Sequence, residues 1–176
     1  MKITTNRMAI IAITAALYAA VTLATPFMAF GPFQFRIAEM LTLLAYFNPI
    51  FVPGVLLGTL IANLFSPYGL VDIIFGTLAT AIVLILIRIT KRTIDNLLVS
   101  SFWPVIINAI VIPFVFLIYA DGIQALTFEH LSWAAFLPFA GSVAFGQFVV
   151  VTIVGYIVIR IIMAKFPNAI RKLESL

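Results

Sequence analysis

Long apolar runs separated by short polar or proline- and glycine-marked breaks make up most of the chain. The runs cover about residues 8–25, 35–47, 50–65, 71–89, 97–120 and 134–163. A helix needs roughly 20 apolar residues to cross a bilayer, so the pattern predicts an all-α polytopic membrane protein: a six-helix bundle in one transmembrane domain, residues 1–176. The first run ends at Pro26 without the small-residue cleavage site of a signal peptide and reads as a retained helix. The second and third runs are short. They are split by Asn48-Pro49 and Pro53-Gly54, where the residue before proline is pushed out of the helical region. They read either as two crossings or as a re-entrant hairpin. Ser66-Pro67-Tyr68-Gly69 predicts a turn and the polar stretch from Thr90 to Asn96 a loop, while Pro104 and Pro113 predict kinks inside the fifth run.

Composition removes whole classes of function. The chain of 176 residues is 64% hydrophobic and 9% charged, with a mean hydropathy of +1.24; a soluble domain carries roughly a quarter charged residues. Its basic residues flank the apolar runs instead of forming one face, so they read as topology signals and not as a nucleic-acid surface. With both termini cytoplasmic, Lys2, Arg7, Arg88, Lys91, Arg92, Arg160, Lys165, Arg171 and Lys172 lie inside and only Arg36 outside, as the positive-inside rule requires. No cysteine and a single histidine exclude disulfides, thiol chemistry and multi-histidine metal sites. No cofactor is implied. No Walker A, H-E-x-x-H or G-x-S-x-G pattern occurs, so the chain is not expected to be an enzyme or to hydrolyse ATP by that route.

Polar side chains are costly within a bilayer and usually face a bundle interior or a watery cavity. Gln34, Arg36 and Glu39 lie at the outer end of the second run, with Arg36 and Glu39 three residues apart on one face. Asn63 ends the third run, Asp72 begins the fourth, and Asn108 sits near the middle of the fifth. Gln147 lies roughly 15–20 Å along the last run from its outer end, at about 1.5 Å per residue. Most of these groups come from the outer half, which suggests a pocket open to the outside. Each also has a plainer reading. Asp72 fits an N-cap, Arg36 and Glu39 an interfacial ion pair, and Asn63 and Asn108 hydrogen bonds between helices. Asp121, Glu129 and His130 read as solvated loop residues, and Phe33, Phe35, Tyr68, Trp133 and Phe136 fit an aromatic belt as well as ligand stacking. Ala12, Ala16 and Ala20 repeat every four residues on the first helix, and Gly54 and Gly58 form G-x-x-x-G on the third. Such spacings let helices approach closely, inside the bundle or against a partner.

The segments FGPFQFRIAEMLTLL (30–44) and LIANLFSPYGLVDIIFGTLAT (60–80), with the small-residue first helix, resemble the QueT family over about residues 8–159. The family comprises substrate-binding S components of energy-coupling factor (ECF) transporters, assigned to queuosine precursors. The resemblance implies six helices and cytoplasmic termini. It also implies a deazapurine substrate such as an aminomethyl-deazaguanine, and three partners: an ECF coupling transmembrane protein and two cytoplasmic ATPases. Ala12, Ala16 and Ala20 would then face the coupling protein. Gln34, Arg36, Glu39, Asn63, Tyr68, Asp72, Asn108 and Gln147 would bind the substrate. Where the family pattern is expected to carry Gly-Glu, this chain has Gly146-Gln147, a neutral amide in place of a carboxylate. The competing reading from the residues is a stand-alone facilitator or channel acting as a homo-oligomer, which calls for polar residues continuing into the inner half.

Overall fold

A computed structural model describes residues 4–120 and 133–175; Asp121, Glu129 and His130 lie outside the described residues. The described residues are mostly helical, and no strand occurs among them. Its elements are α1 (Thr5–Ala24), α2 (Pro26–Ala29), a 3₁₀ segment (Ile37–Leu43) running into α3 (Leu44–Phe47), α4 (Phe51–Asn63), α5 (Gly69–Thr93), α6 (Leu97–Ala120), α7 (Trp133–Gln147), a π-helical stretch (Phe148–Gly155), α8 (Tyr156–Lys165) and α9 (Pro167–Glu174). Among the described residues, four helices are long and apolar enough to cross a membrane: Thr5–Ala24, Gly69–Thr93, Leu97–Ile118 and the continuous Trp133–Lys165. Ile37–Phe47 and Phe51–Asn63 are shorter apolar segments, below the roughly 20 residues of a full span.

Two boundaries differ from expectation. The polar stretch from Thr90 is not a loop: α5 continues through Thr93 and leaves only Ile94, Asp95 and Asn96 outside helices. The extra turn is held by its own polar groups. Thr93 donates to the Ile89 carbonyl at 2.9 Å, and the Trp103 indole donates to Thr90 Oγ1 at 2.7 Å. Lys91 and Arg92 in the last turn complement the negative end of the helix dipole. The last long run is also not a uniform α-helix, because the π-helical stretch begins directly after Gln147. A wider turn changes which way the following residues face, and such turns gather at functional sites.

The bundle has an apolar core that also encloses a group of polar side chains, and its outer faces are apolar. Ile13, Leu17, Leu70, Leu78, Ile85, Ile106 and Ile157 are exposed along the long helices, as lipid-facing residues should be. The core is built on Tyr18, Leu43, Val55, Val83, Leu84, Ile87 and Val151. The helices pack chiefly as α1 on α4, α5 on α6 and α6 on α7, and the 3₁₀ segment lies among α1, α4, α5, α6 and the π-helical stretch. That central position is what buries its polar side chains. The α1–α4 crossing settles the G-x-x-x-G reading in favour of internal packing. A Cβ at Gly54 would stand 2.8 Å from Thr14 Cβ, and one at Gly58 2.7 Å from both the Ala15 carbonyl oxygen and Tyr18 Cβ. Ala12, Ala16 and Ala20 lie on the other side of α1 and are exposed.

At the end of α5, Lys91 Nζ donates to Asp95 Oδ1 at 2.7 Å and the Tyr46 hydroxyl donates to the same oxygen at 2.6 Å. These two bonds, Lys91 first, hold the Asp95 carboxyl below the usual carboxylate range. A carboxyl whose value is lower in the folded than in the unfolded state contributes stability above its unfolded value, about 3.9, and loses that contribution as pH falls through the folded value. Thermal unfolding in detergent should therefore show wild type above Asp95→Asn at pH 7, with the difference closing toward pH 3. A gap independent of pH would show that the two bonds do not depend on the carboxylate charge.

Candidate binding site

The site begins with a bend in the backbone. Gln34 has a positive φ of 46°, and its N–H donates to the Gly31 carbonyl at 3.0 Å. The chain turns there and carries Arg36 and Glu39 inward. Arg36 is the extended N-cap of the 3₁₀ segment, and its Nη1 lies 3.9 Å from Oε1 of Glu39 in the first turn. Arg36 also reaches two other elements: Nη1 donates to Asn63 Oδ1 of α4 at 3.3 Å, and Nη2 lies 3.8 Å from Asp72 Oδ2 of α5. The guanidinium sits over the Phe30 ring at 5.1 Å. Asn63 Nδ2 donates to the Asp72 carbonyl at 3.2 Å and to Thr77 Oγ1 at 3.3 Å, so its interhelical role is real and lies within this cluster. Gly76 leaves the room: a Cβ there would meet Asp72 Oδ1 at 2.5 Å and Asn63 Nδ2 at 2.9 Å.

The N-cap reading of Asp72 does not hold. Tyr68 is the N-cap of α5, with no side-chain cap bond, and Asp72 falls in the first turn, fully buried. The plain ion-pair reading of Arg36 and Glu39 is too small, since a carboxylate and an amide from two further helices share the guanidinium. The last long helix closes the site. Gly146 stands so near the loop that a Cβ would fall 1.6 Å from the Phe33 carbonyl oxygen, and Ser142 donates to the Pro32 carbonyl at 2.8 Å. This contact brings the buried Gln147 beside the segment that carries Gln34 and Arg36.

Tyr68 is one step removed. Its hydroxyl donates to the Phe30 carbonyl at 2.9 Å and its ring meets Phe116 at 5.0 Å, so it secures the residue beneath Arg36. Asn108 is buried on α6 but makes none of the hydrogen bonds or ion pairs that join the cluster. Phe33, Phe35 and Phe145 form an aromatic cluster with ring centroids 5.9–6.4 Å apart, and Trp133 packs on Phe136 at 5.8 Å. Tyr18 was not among the expected residues. It is fully buried on α1, and its hydroxyl donates to Glu39 Oε1 at 2.7 Å. Its signal was the spacing Thr14, Tyr18, Thr22, a polar stripe two positions, about 200°, around the helix from Ala12, Ala16 and Ala20.

The cluster is only partly satisfied. Nine buried side-chain polar atoms lack a hydrogen-bond partner among the described residues, and all except Arg88 Nε belong to it. They are the donors Gln34 Nε2, Arg36 Nε, Arg36 Nη2 and Gln147 Nε2, and the acceptors Glu39 Oε2, Asp72 Oδ1, Asp72 Oδ2 and Gln147 Oε1. Each unpaired buried group costs about 1–3 kcal/mol, and the Arg36 ion pairs at 3.8–3.9 Å are well outside the roughly 2.7–2.9 Å of a closed charge-assisted bond. Donors and acceptors in equal number, around one guanidinium and two carboxylates, suit a small polar ligand with hydrogen-bonding edges and an overall positive charge.

The family model of the QueT transporter matches residues 8–164. The chain belongs to the QueT transporter family. It is also 33% identical over 141 residues to the queuosine precursor transporter QueT of Lactococcus lactis subsp. cremoris (strain MG1363), covering 78% of this chain and 81% of that protein. No solved structure matches the chain. As a QueT-family member with several apolar spanning helices it is a multi-pass plasma-membrane transport protein and not an enzyme.

Proposed function

We propose that this QueT-family protein is the substrate-binding S component of an ATP-driven ECF importer and that it takes a queuosine precursor, a deazaguanine such as the aminomethyl form, from outside the cell. The observation that carries this reading is the set of unpaired buried donors and acceptors on Gln34, Arg36, Glu39, Asp72 and Gln147. An aminomethyl-deazaguanine presents the complementary groups: an N–H pair, a carbonyl, a ring nitrogen and a cationic amine. One of the carboxylates Glu39 and Asp72 accepts from its N–H pair and the other holds the amine, while Gln34, Asn63, Asn108 and Gln147 meet its carbonyl and ring nitrogen. Arg36 holds the two carboxylates in place, and Tyr68 supports the aromatic wall. Two carboxylates against one guanidinium leave one formal negative charge, which a cationic ligand balances.

In this reading residues 1–176 form one transmembrane domain with six helices and cytoplasmic termini, supported by nine of the ten basic residues falling on one side. The energy comes from a coupling transmembrane protein and two ATPases. Ala12, Ala16 and Ala20 are the surface for the coupling protein, a role supported by their exposure and by the internal packing of the opposite face of α1 on Gly54 and Gly58. Ala16→Trp should abolish co-purification of the coupling protein while leaving ligand affinity within twofold. Loss of both together would count against a separate docking face.

The experiment is a calorimetric titration of the purified protein in detergent with aminomethyl- and cyano-deazaguanine, using guanine and riboflavin as controls. Tight one-to-one binding of a deazaguanine, with none of riboflavin, is expected. Silence toward every deazaguanine from folded protein would overturn the substrate assignment.

A further inference from the structure

Resting on the binding reading above, we infer that Tyr18 is a positioning residue that divides the work of the two buried carboxylates and thereby sets selectivity for an amine on the ligand. The Tyr18 hydroxyl donates to Glu39 Oε1 at 2.7 Å, and Arg36 Nη1 approaches that same oxygen at 3.9 Å. Only Oε2 of Glu39 is left without a hydrogen bond, whereas neither oxygen of Asp72 has one; Arg36 faces Asp72 Oδ2 at 3.8 Å much as it faces Glu39 Oε1, so the Tyr18 bond is what separates the two carboxylates. The guanine-type N–H pair needs two parallel acceptors, the bidentate geometry a carboxylate offers with both oxygens free. Asp72 has them. Glu39 has one oxygen to give, which fits a single ammonium group and not a flat N–H pair.

Tyr18 is held firmly enough to impose this division. It is fully buried. Its Cβ lies where a side chain at Gly58 would stand 2.7 Å away, and Thr22 donates to its carbonyl at 2.9 Å. The phenol reaches from α1 to the 3₁₀ segment and touches the ligand only through Glu39. Without the hydroxyl, the Glu39 carboxylate turns freely and its second oxygen competes for Arg36.

The test is Tyr18→Phe in the full chain, titrated in detergent with aminomethyl-deazaguanine and with cyano-deazaguanine, which keeps the N–H pair and lacks the amine. Affinity for the aminomethyl form should fall roughly tenfold, the effect of one hydrogen bond to a charged group. Affinity for the cyano form should stay within twofold. An equal loss for both ligands would mark Tyr18 as merely structural and overturn the inference, as would no loss for either. Should Tyr18→Phe not fold, the same two ligands read on Glu39→Gln and Asp72→Asn still decide it. The division requires Glu39→Gln to affect the aminomethyl form selectively and Asp72→Asn to weaken both; any other pattern overturns it. If wild type binds no deazaguanine, the binding reading fails before the role of Tyr18 is reached.

Discussion

Asp72→Asn is expected to weaken binding of both aminomethyl- and cyano-deazaguanine by about 30-fold or more. The expectation follows from what the carboxylate does that an amide cannot. Asp72 is fully buried and offers two oxygens that accept no hydrogen bond, with Arg36 3.8 Å from Oδ2. Asparagine keeps one acceptor and puts an N–H₂ where the other stood, so a ligand N–H meets a donor. Truncating one partner of a buried hydrogen-bonded charge pair costs about 2–5 kcal/mol, and each 1.4 kcal/mol is about a tenfold change in Kd. The Asp72 backbone carbonyl still accepts from Asn63, so the α4–α5 contact persists and folding should survive. Calorimetry on the folded variant reads the effect. Affinity within threefold of wild type for either ligand would remove Asp72 from the binding surface.

Gly146→Val is expected to lower both the unfolding temperature and ligand affinity, the latter by tenfold or more. A Cβ at this position would overlap the Phe33 carbonyl oxygen at 1.6 Å and lie 2.8 Å from its carbon, and backbone cannot swing aside as a flexible side chain does. Either α7 or the loop must move. Overpacking typically costs about 1–3 kcal/mol, and here the displacement also parts Gln147 from the segment bearing Gln34 and Arg36. Gly141→Ala is the control on the same helix, because a Cβ there meets nothing within 4 Å; it should bind as wild type and unfold no earlier, alanine being about 1 kcal/mol the better helix former. Thermal unfolding followed with and without ligand measures both. A Gly146→Val protein matching wild type in both would show that the contact does not hold the site together.

Much of this protein was already determined by the sequence. A bilayer imposes a cost on each segment separately, so the apolar runs mark the helices with little help from their neighbours: expected bounds of 97–120 and 134–163 compare with Leu97–Ala120 and Trp133–Lys165. The expense of polar groups in such runs likewise singled out Gln34, Arg36, Glu39, Asn63, Asp72, Asn108 and Gln147; all are buried, and all but Asn108 lie in or beside the cluster around Arg36. The segments 30–44 and 60–80, with the small-residue first helix, also carried the family resemblance, and the family model matches residues 8–164. What the sequence left open depended on which helix faces meet. Asp72 as cap or as buried carboxylate was decided by Arg36 arriving from the N-cap of the 3₁₀ segment, and the glycine pair as internal or external by α1 crossing at Ile11, Thr14, Ala15 and Tyr18. Tyr18 shares a face of the first run with Thr14 and Thr22, but its hydroxyl's partner, Glu39, lies 21 residues away in sequence, so the stripe alone does not show what it meets. Gly146 shows the same limit, because its requirement for a bare backbone comes from Phe33, on a loop more than a hundred residues earlier. Transfer energies add along a chain and can be read from it; contacts between distant faces do not, and only the packed tertiary structure decides them.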